Sequence, residues 1–214
     1  MKKRSGKTVG AKVRPRVQSE SVRARSTANA VFLVGFMGAG KTTVGRALGQ
    51  RLNWVFEDLD DRIERCEGRT VAAIFRDSGE SEFREAEYRA LRQVLEELHS
   101  GGLRIEALGG GAFVQERNAE LLRASNVPTV FLDAPLDDLW QRCCTQASEA
   151  GTDRPLLRSQ QQFRDLYEIR RQGYSKAQLK IQTAGRAVDE IAAEIASRLG
   201  LKQIRIRTEQ GEVE

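Results

Sequence analysis

Gly35-Phe36-Met37-Gly38-Ala39-Gly40-Lys41-Thr42 follows directly on the apolar run Val31-Phe32-Leu33-Val34. The octapeptide fits Gly-x-x-x-x-Gly-Lys-Thr, a phosphate-binding loop set between a strand and a helix. Glycines let the backbone curl so that successive N–H groups point inward and form an anion-binding nest. The helix that follows adds its partly positive N-terminus. Lys41 offers a mobile cation to the β- and γ-phosphates, and the Thr42 hydroxyl is placed to ligate Mg²⁺. The ordinary alternative, a glycine-rich strand-to-helix turn, is disfavoured because strand, loop and helix occur in the required order.

Working outward, 214 residues suit one domain, and 40% hydrophobic content is enough for a core. No apolar run approaches the roughly 18 residues needed to span a membrane. Cys66, Cys143 and Cys144 show no metal-ligand spacing and read as small buried or half-buried residues in a reducing compartment. The net charge of +5 is unevenly spread: residues 1–30 hold nine Lys and Arg against Glu20, a net of +8, which leaves −3 for the rest. Residues 1–28 lack periodicity and large apolar side chains, so a disordered basic tail is expected. With no apolar h-region it is not a secretory signal. It reads as an organelle transit peptide, a weakly nucleic-acid-attracting arm or, by preference, an upstream start-site extension without a role.

The body, 29–202, alternates strands and helices. Val31–Val34 and Thr129–Leu132 are continuous apolar runs that suit buried parallel strands. Trp54–Phe56, Leu103–Leu108 and, weakly, Leu179–Ile181 complete five strands. Helices are expected at 41–52, 61–66, 70–77 with Thr70 as its cap, 80–98, 118–124, 136–145, 160–172 and 187–199. The helix at 80–98 carries Phe83, Ala86, Ala90, Leu91, Val94, Leu95 and Leu98 on one face. Residues 145–158 look polar and irregular, and 203–214 form a charged C-terminal tail. This order predicts an α/β fold with a parallel sheet and ligands at the carboxyl ends of its strands.

Asp58 and Asp60 fall just past the second strand. A kinase acting on a hydroxyl needs one carboxylate at that hydroxyl and another acidic group near Mg²⁺. If the segment stays extended the two side chains point apart; an N-cap for the next helix is the structural alternative. Gly109-Gly110-Gly111 is costly in chain entropy and makes sense where backbone approaches a ligand closely. Arg84, Arg154 and Arg170 or Arg171 would form a clamp for carboxylate and phosphate if aimed at one cleft. His99 reads as a surface residue, and Trp54 and Trp140 as packing residues.

Taken together, the phosphate loop extended to Gly45, Phe56-Glu-Asp-Leu-Asp-Asp-Arg-Ile-Glu64, Gly79-Glu-Ser-Glu-Phe-Arg-Glu-Ala-Glu87, Leu108-Gly-Gly-Gly-Ala112 and Asp153-Arg-Pro-Leu-Leu157 resemble shikimate kinase over residues 29–200. The resemblance implies a P-loop nucleoside-monophosphate-kinase-like fold: a three-layer α/β/α arrangement with a five-stranded parallel sheet of order 2-3-1-4-5 and a mobile lid at 145–158. It implies transfer of the ATP γ-phosphoryl to the 3-hydroxyl of shikimate with Mg²⁺; composition, with no exposed apolar stripe and no long apolar run, adds the expectation of a cytoplasmic monomer without membrane association. By position, Asp60 would hold the reacting hydroxyl as base and Asp58, with Thr42, would hold Mg²⁺. Arg84 and Arg170 would grip the substrate carboxylate, and Gly109, Gly110 and Gly111 would contact the ring hydroxyls. Gly38, Ala39, Gly40, Lys41, Thr42 and Thr43 would bind ATP along with Arg142 and Arg154, and Lys41 and Arg154 would neutralise the transferring group. Two departures stand out. Arg170-Arg171-Gln172-Gly173-Tyr174 lacks the family's proline, so either arginine could serve, and Glu106 puts a charge in the third strand. A gluconate-kinase-like enzyme and a non-catalytic nucleotide-binding protein remain as alternatives.

Overall fold

The computed structural model describes residues 28–150 and 159–203. The element order is β1 (Ala30–Val34), α1 (Lys41–Leu52), β2 (Val55–Asp58), α2 (Leu59–Glu67), α3 (Val71–His99), β3 (Arg104–Ala107), α4 (Glu116–Ser125), β4 (Thr129–Asp133), α5 (Leu136–Ala150), α6 (Gln160–Tyr174), β5 (Leu179–Gln182) and α7 (Val188–Leu199). A single 3-10 turn, Ala112–Val114, precedes α4. The sheet is parallel throughout and ordered β2-β3-β1-β4-β5, as the resemblance implies.

β1 lies at the centre, and all five of its residues are buried. A strand covered on both faces can be apolar at every position, which is why Ala30–Val34 and Thr129–Asp133 show no alternation. One face of β2 lies so close to α1 that a Cβ on Gly45 would sit 2.2 Å from the Phe56 ring. The opposite face, with Glu57, lies under α2 and α3, whose Arg62 and Glu97 reach down to it and to Arg104. Helices therefore cover both faces, and the core is continuous from α7 (Ile191, Ile195) through the sheet to α3 (Leu91, Val94).

Most expected elements stand, with corrections at their ends. β2 runs Val55–Asp58 rather than 54–56, and α2 begins at Leu59. The Asp58–Asp60 segment is thus a strand-to-helix junction and not extended chain: Asp58 Oδ1 accepts from the Asp60 N–H at 3.2 Å and caps α2. α3 joins two helical stretches across Gly79, whose φ of 80° and ψ of 178° break the helix between the two helices the sequence predicts. Thr70 caps its start by accepting from the Ala73 N–H. α5 continues to Ala150, so the first part of the expected irregular lid is helical, while 151–158 lie outside the described residues. α6 extends to Tyr174, two residues beyond its expected end. The basic tail through residue 27 and residues 204–214 also lie outside the described residues.

Trp54 is buried, and Trp140 meets Phe163 edge-on at 5.1 Å, both as packing residues. His99 is exposed at the end of α3, its Nδ1 2.7 Å from the Leu95 carbonyl. Cys143 is buried and Cys144 half-buried, but Cys66 is exposed on α2, against expectation. Glu106 is only 1% exposed, in β3, one strand in from the sheet edge formed by β2.

Candidate active site

The phosphate loop turns at the carboxyl end of β1. Gly38 takes φ 77°, and a Cβ there would lie 2.8 Å from the Leu139 carbonyl oxygen and 3.0 Å from Cys143 Sγ, so both conformation and space require glycine. Ala39 is buried with its N–H on the Phe36 carbonyl at 3.2 Å, and Gly40 occupies the N-cap of α1. Lys41 folds back over the loop and donates to the carbonyls of Gly35 at 3.0 Å and Phe36 at 3.2 Å. Burial lowers its pKa, opposed by the charges of Asp58 and Asp60. Thr43 is exposed in the first turn of α1. Arg142, on α5, donates to the Gly38 carbonyl at 3.4 Å and so lies against the outside of the loop.

Thr42 Oγ1 donates to Asp58 Oδ2 at 2.9 Å. One carboxylate thus caps α2 through one oxygen and meets the phosphate-loop hydroxyl through the other. Among the described residues no cluster of three or more His, Cys, Asp and Glu could hold a metal. Mg²⁺ keeps several waters and takes one or two protein oxygens plus substrate phosphates, so the Thr42–Asp58 pair of hard oxygens fits it.

Asp60 lies in the first turn of α2, largely buried. Among the described residues its Oδ1 finds no hydrogen-bond partner. Burial first, then the nearby charge of Asp58, raises its pKa to about 6, against the pull of Lys41. A Cβ on Gly109 would lie 2.8 Å from that oxygen. The other two glycines face the arginines: a Cβ on Gly110 would be 3.4 Å from Arg170 Nη1, and one on Gly111 would be 2.7 Å from Arg84 Nη1. The glycine run therefore lets the chain pass against Asp60, Arg170 and Arg84 in turn. It is held there, since the N–H groups of Ala112 and Val114 bond back to Gly109 and Gly111 and Tyr174 Oη donates to the Gly110 carbonyl.

The two arginines at the end of α6 part company. Arg170 reaches Gly110 and lies 5.9 Å from the Phe36 ring, whereas Arg171 lies 5.9 Å from the Tyr167 ring. Arg84 and Arg170 share a cleft of about 460 Å³ with Glu80, Val114, Gln115 and Lys176. A larger open cleft, about 910 Å³, lies beside the edge strand β2, and of the candidate site residues it is lined by Asp58 alone. The smaller one holds the convergent cations and adjoins the glycine run. Arg154 falls in 151–158, outside the described residues.

Sequence reasoning passed over the role of Glu87. It is 1% exposed, accepts from Arg84 Nη1 through both oxygens at 3.2 and 3.1 Å, and accepts from Asn118 Nδ2 at 3.3 Å. Burial raises its pKa, countered by Arg84. The signal was present, since Glu87 interrupts the apolar face that Phe83, Ala86, Ala90 and Leu91 define.

A phosphate loop at β1, a carboxylate pair after β2 and a two-arginine cleft over the strand ends define a P-loop kinase acting on a small anionic acceptor. The shikimate kinase family model matches residues 37–200. A shikimate kinase of Cereibacter sphaeroides is 39% identical over 208 residues, covering 94% of this chain and 99% of that protein. One of Persephonella marina is 35% identical over 79% of this chain and 98% of its own length. The structure of a shikimate kinase from Acinetobacter baumannii in complex with shikimate superposes with a TM-score of 0.71 at 35% identity, covering 82% of this chain and 94% of that one. The chain belongs to the shikimate kinase family. A gluconokinase from Sinorhizobium meliloti, at 17% identity and a TM-score of 0.51, shares the fold alone.

Proposed function

We propose that the chain transfers the γ-phosphoryl group of ATP to the 3-hydroxyl of shikimate, on the route to chorismate and the aromatic amino acids. The observation that carries the reading is Asp60 Oδ1, a buried carboxylate oxygen without a partner among the described residues, beside Gly109 and within the field of Lys41. A hydroxyl seated there would donate to Oδ1. As the new O–P bond forms, Asp60 takes the hydroxyl proton, and the bond to the β-phosphate oxygen breaks to release ADP. A base with a pKa of about 6 is poised for this near neutrality.

Arg84 and Arg170 take the substrate carboxylate, and Gly109–Gly111 let the ring approach the backbone. Lys41 leaves the Gly35 and Phe36 carbonyls to meet the phosphates, held by the nest of Gly38, Ala39 and Gly40 with Thr42 and Thr43, while Arg142 flanks the nucleotide. A bound Mg²⁺ would offset charge on the β- and γ-oxygens, held by Thr42 and, through water, Asp58. Arg154 neutralises the transferring group from the lid. The reading also takes the enzyme as a cytoplasmic monomer acting on ATP and shikimate; separately, among the described residues no helix is long and apolar enough to cross a membrane.

The test is an assay of ADP release with Mg-ATP, with and without shikimate. A large shikimate-dependent rate that gluconate does not elicit is expected. ATP binding without stimulation by shikimate would remove the assignment.

A further inference from the structure

Arg84 is bound on two sides by carboxylates of very different character. Its Nη1 donates to both oxygens of Glu87. Its Nη2 and Nε donate to a single oxygen of Glu80, at 3.0 and 3.3 Å. The Glu87 side chain is 1% exposed and that of Glu80 67%. Asn118, buried in the first turn of α4, fixes Glu87 from a second element without adding charge. Withdrawing Glu87 would strand an ion away from water, whereas an exposed pair such as Glu80–Arg84 is weak and yields readily.

A carboxylate prefers two parallel guanidinium donors. On Arg84 the Nε–Nη2 edge supplies such a pair, and Glu80 sits on it. We propose that Glu80 is a resident stand-in for the substrate carboxylate: the substrate binds by displacing Glu80 from Arg84, while Glu87 and Asn118 hold the guanidinium still. The proposal rests on the reading of Arg84 as a carboxylate-binding residue. Glu80 lines the same cleft as Arg84 and Arg170. The backbone suits an exchange, because Gly79, at φ 80° with open space around its Cβ position, breaks α3 immediately before Glu80. Glu80 then opens the second helical stretch, whose N-terminal end favours an anion once Arg84 is given up. The exchange also selects substrates: a neutral polyol has no group to replace Glu80, so Arg84 stays engaged and that side of the cleft stays shut.

Shikimate affinity, measured by calorimetry on the full chain without nucleotide, tests the exchange in Glu80→Gln, Asn118→Ala and Arg84→Ala. Glu80→Gln should bind shikimate about two- to fivefold more tightly and lower its KM by the same factor, with the KM for ATP unmoved. Asn118→Ala should weaken shikimate binding severalfold, and Arg84→Ala far more. Unchanged or weaker binding in Glu80→Gln, beside a large loss in Arg84→Ala, would overturn the displacement and leave Arg84 its role. A fall in Tm without any change in affinity would mark Glu80 as a structural helix pair and equally overturn it. Undiminished binding in Arg84→Ala would instead remove the reading beneath.

Discussion

Beneath α2 and α3, charges are matched within the fold, whereas at the carboxyl ends of the same strands they are left open. In the first region Arg62 donates to Glu57 at 3.0 and 2.6 Å and to Glu97 at 2.7 and 2.8 Å, and Arg104 meets Glu57 and Glu97 at 2.9 and 2.7 Å. In the second, among the described residues, Lys41 falls back on backbone carbonyls, Asp60 keeps an unpartnered oxygen, and Arg84 shows one edge to an exposed glutamate. Buried ions with internal partners tie β2, α2, β3 and α3 together. Buried or half-buried ions without them are destabilising until a ligand arrives, which is the usual signature of a site.

The sharpest way to break this contrast is Asp60→Asn. As the proposed base, Asp60 should contribute about 10²–10⁴ in turnover, so steady-state kinetics should show a loss of that order. Its folded pKa, about 6, lies above the ordinary 3.8. The folded state therefore binds its proton more tightly, and stability falls as pH rises from about 4 to 6. Asn removes that penalty, so Tm at pH 7 should hold or rise while turnover collapses. In the parent enzyme the rate should climb as pH passes about 6. A variant that melts early yet turns over normally would put Asp60 among the structural charges.

Glu57→Ala probes the opposite case. Glu57 faces Arg62, Arg65 and Arg104 and is 13% exposed. Removing it leaves buried cations short of a partner, for which about 3 kcal/mol is expected. Urea titration should show that loss. The KM for shikimate should stay within about twofold, because none of these arginines lines the Arg84–Arg170 cleft. A variant as stable as the parent would mean that the network is ornamental.

How far these regions could be read from the sequence follows from the range of the forces involved. Strand and helix periodicity, the Thr70 cap and the glycine demands of the phosphate loop are set within a few residues, and they were legible. So was the order of Lys41, Asp58, Asp60, Arg84 and the glycine run, because motif spacing encodes it. Illegible were the pairings made across elements. Nothing local joins Glu87 to Asn118, 31 residues away, or Arg62 to Glu97, 35 away. Asp58 was read as either cap or metal-side group; tertiary placement makes it the cap through one oxygen and sets the other on the Thr42 hydroxyl. α5 passes Thr145 and runs to Ala150, with nothing in the local sequence to mark that end. Arg170 separates from Arg171 only once Phe36 and Tyr167 are positioned.

Glu106 is the exception inside the matched region, and it sharpens the rule. Both of its oxygens are buried without a hydrogen bond among the described residues, and the nearest cation, Arg104, is 3.7 Å away. Burial, aided by Asp58 and Glu97 and opposed by Arg104 and Arg62, raises its pKa to about 8. At neutral pH the group is therefore mostly protonated, so a proton takes the place of the missing ionic partner and the local charge balance survives. Because the folded pKa exceeds the ordinary 4.5, stability should decline as pH rises between about 4.5 and 8 and level off above. Glu106→Gln abolishes that slope. Allowing for the amide donors it leaves unpaired, the net gain should be about 1–2 kcal/mol at pH 8, shrinking toward zero or a slight loss at pH 5. Thermal melts of parent and variant across that range should converge at the acid end and separate at the alkaline end. Parallel curves would mean that Glu106 is ionised throughout and held by Arg104, and the two regions would then differ in how completely their charges are matched rather than in whether they are.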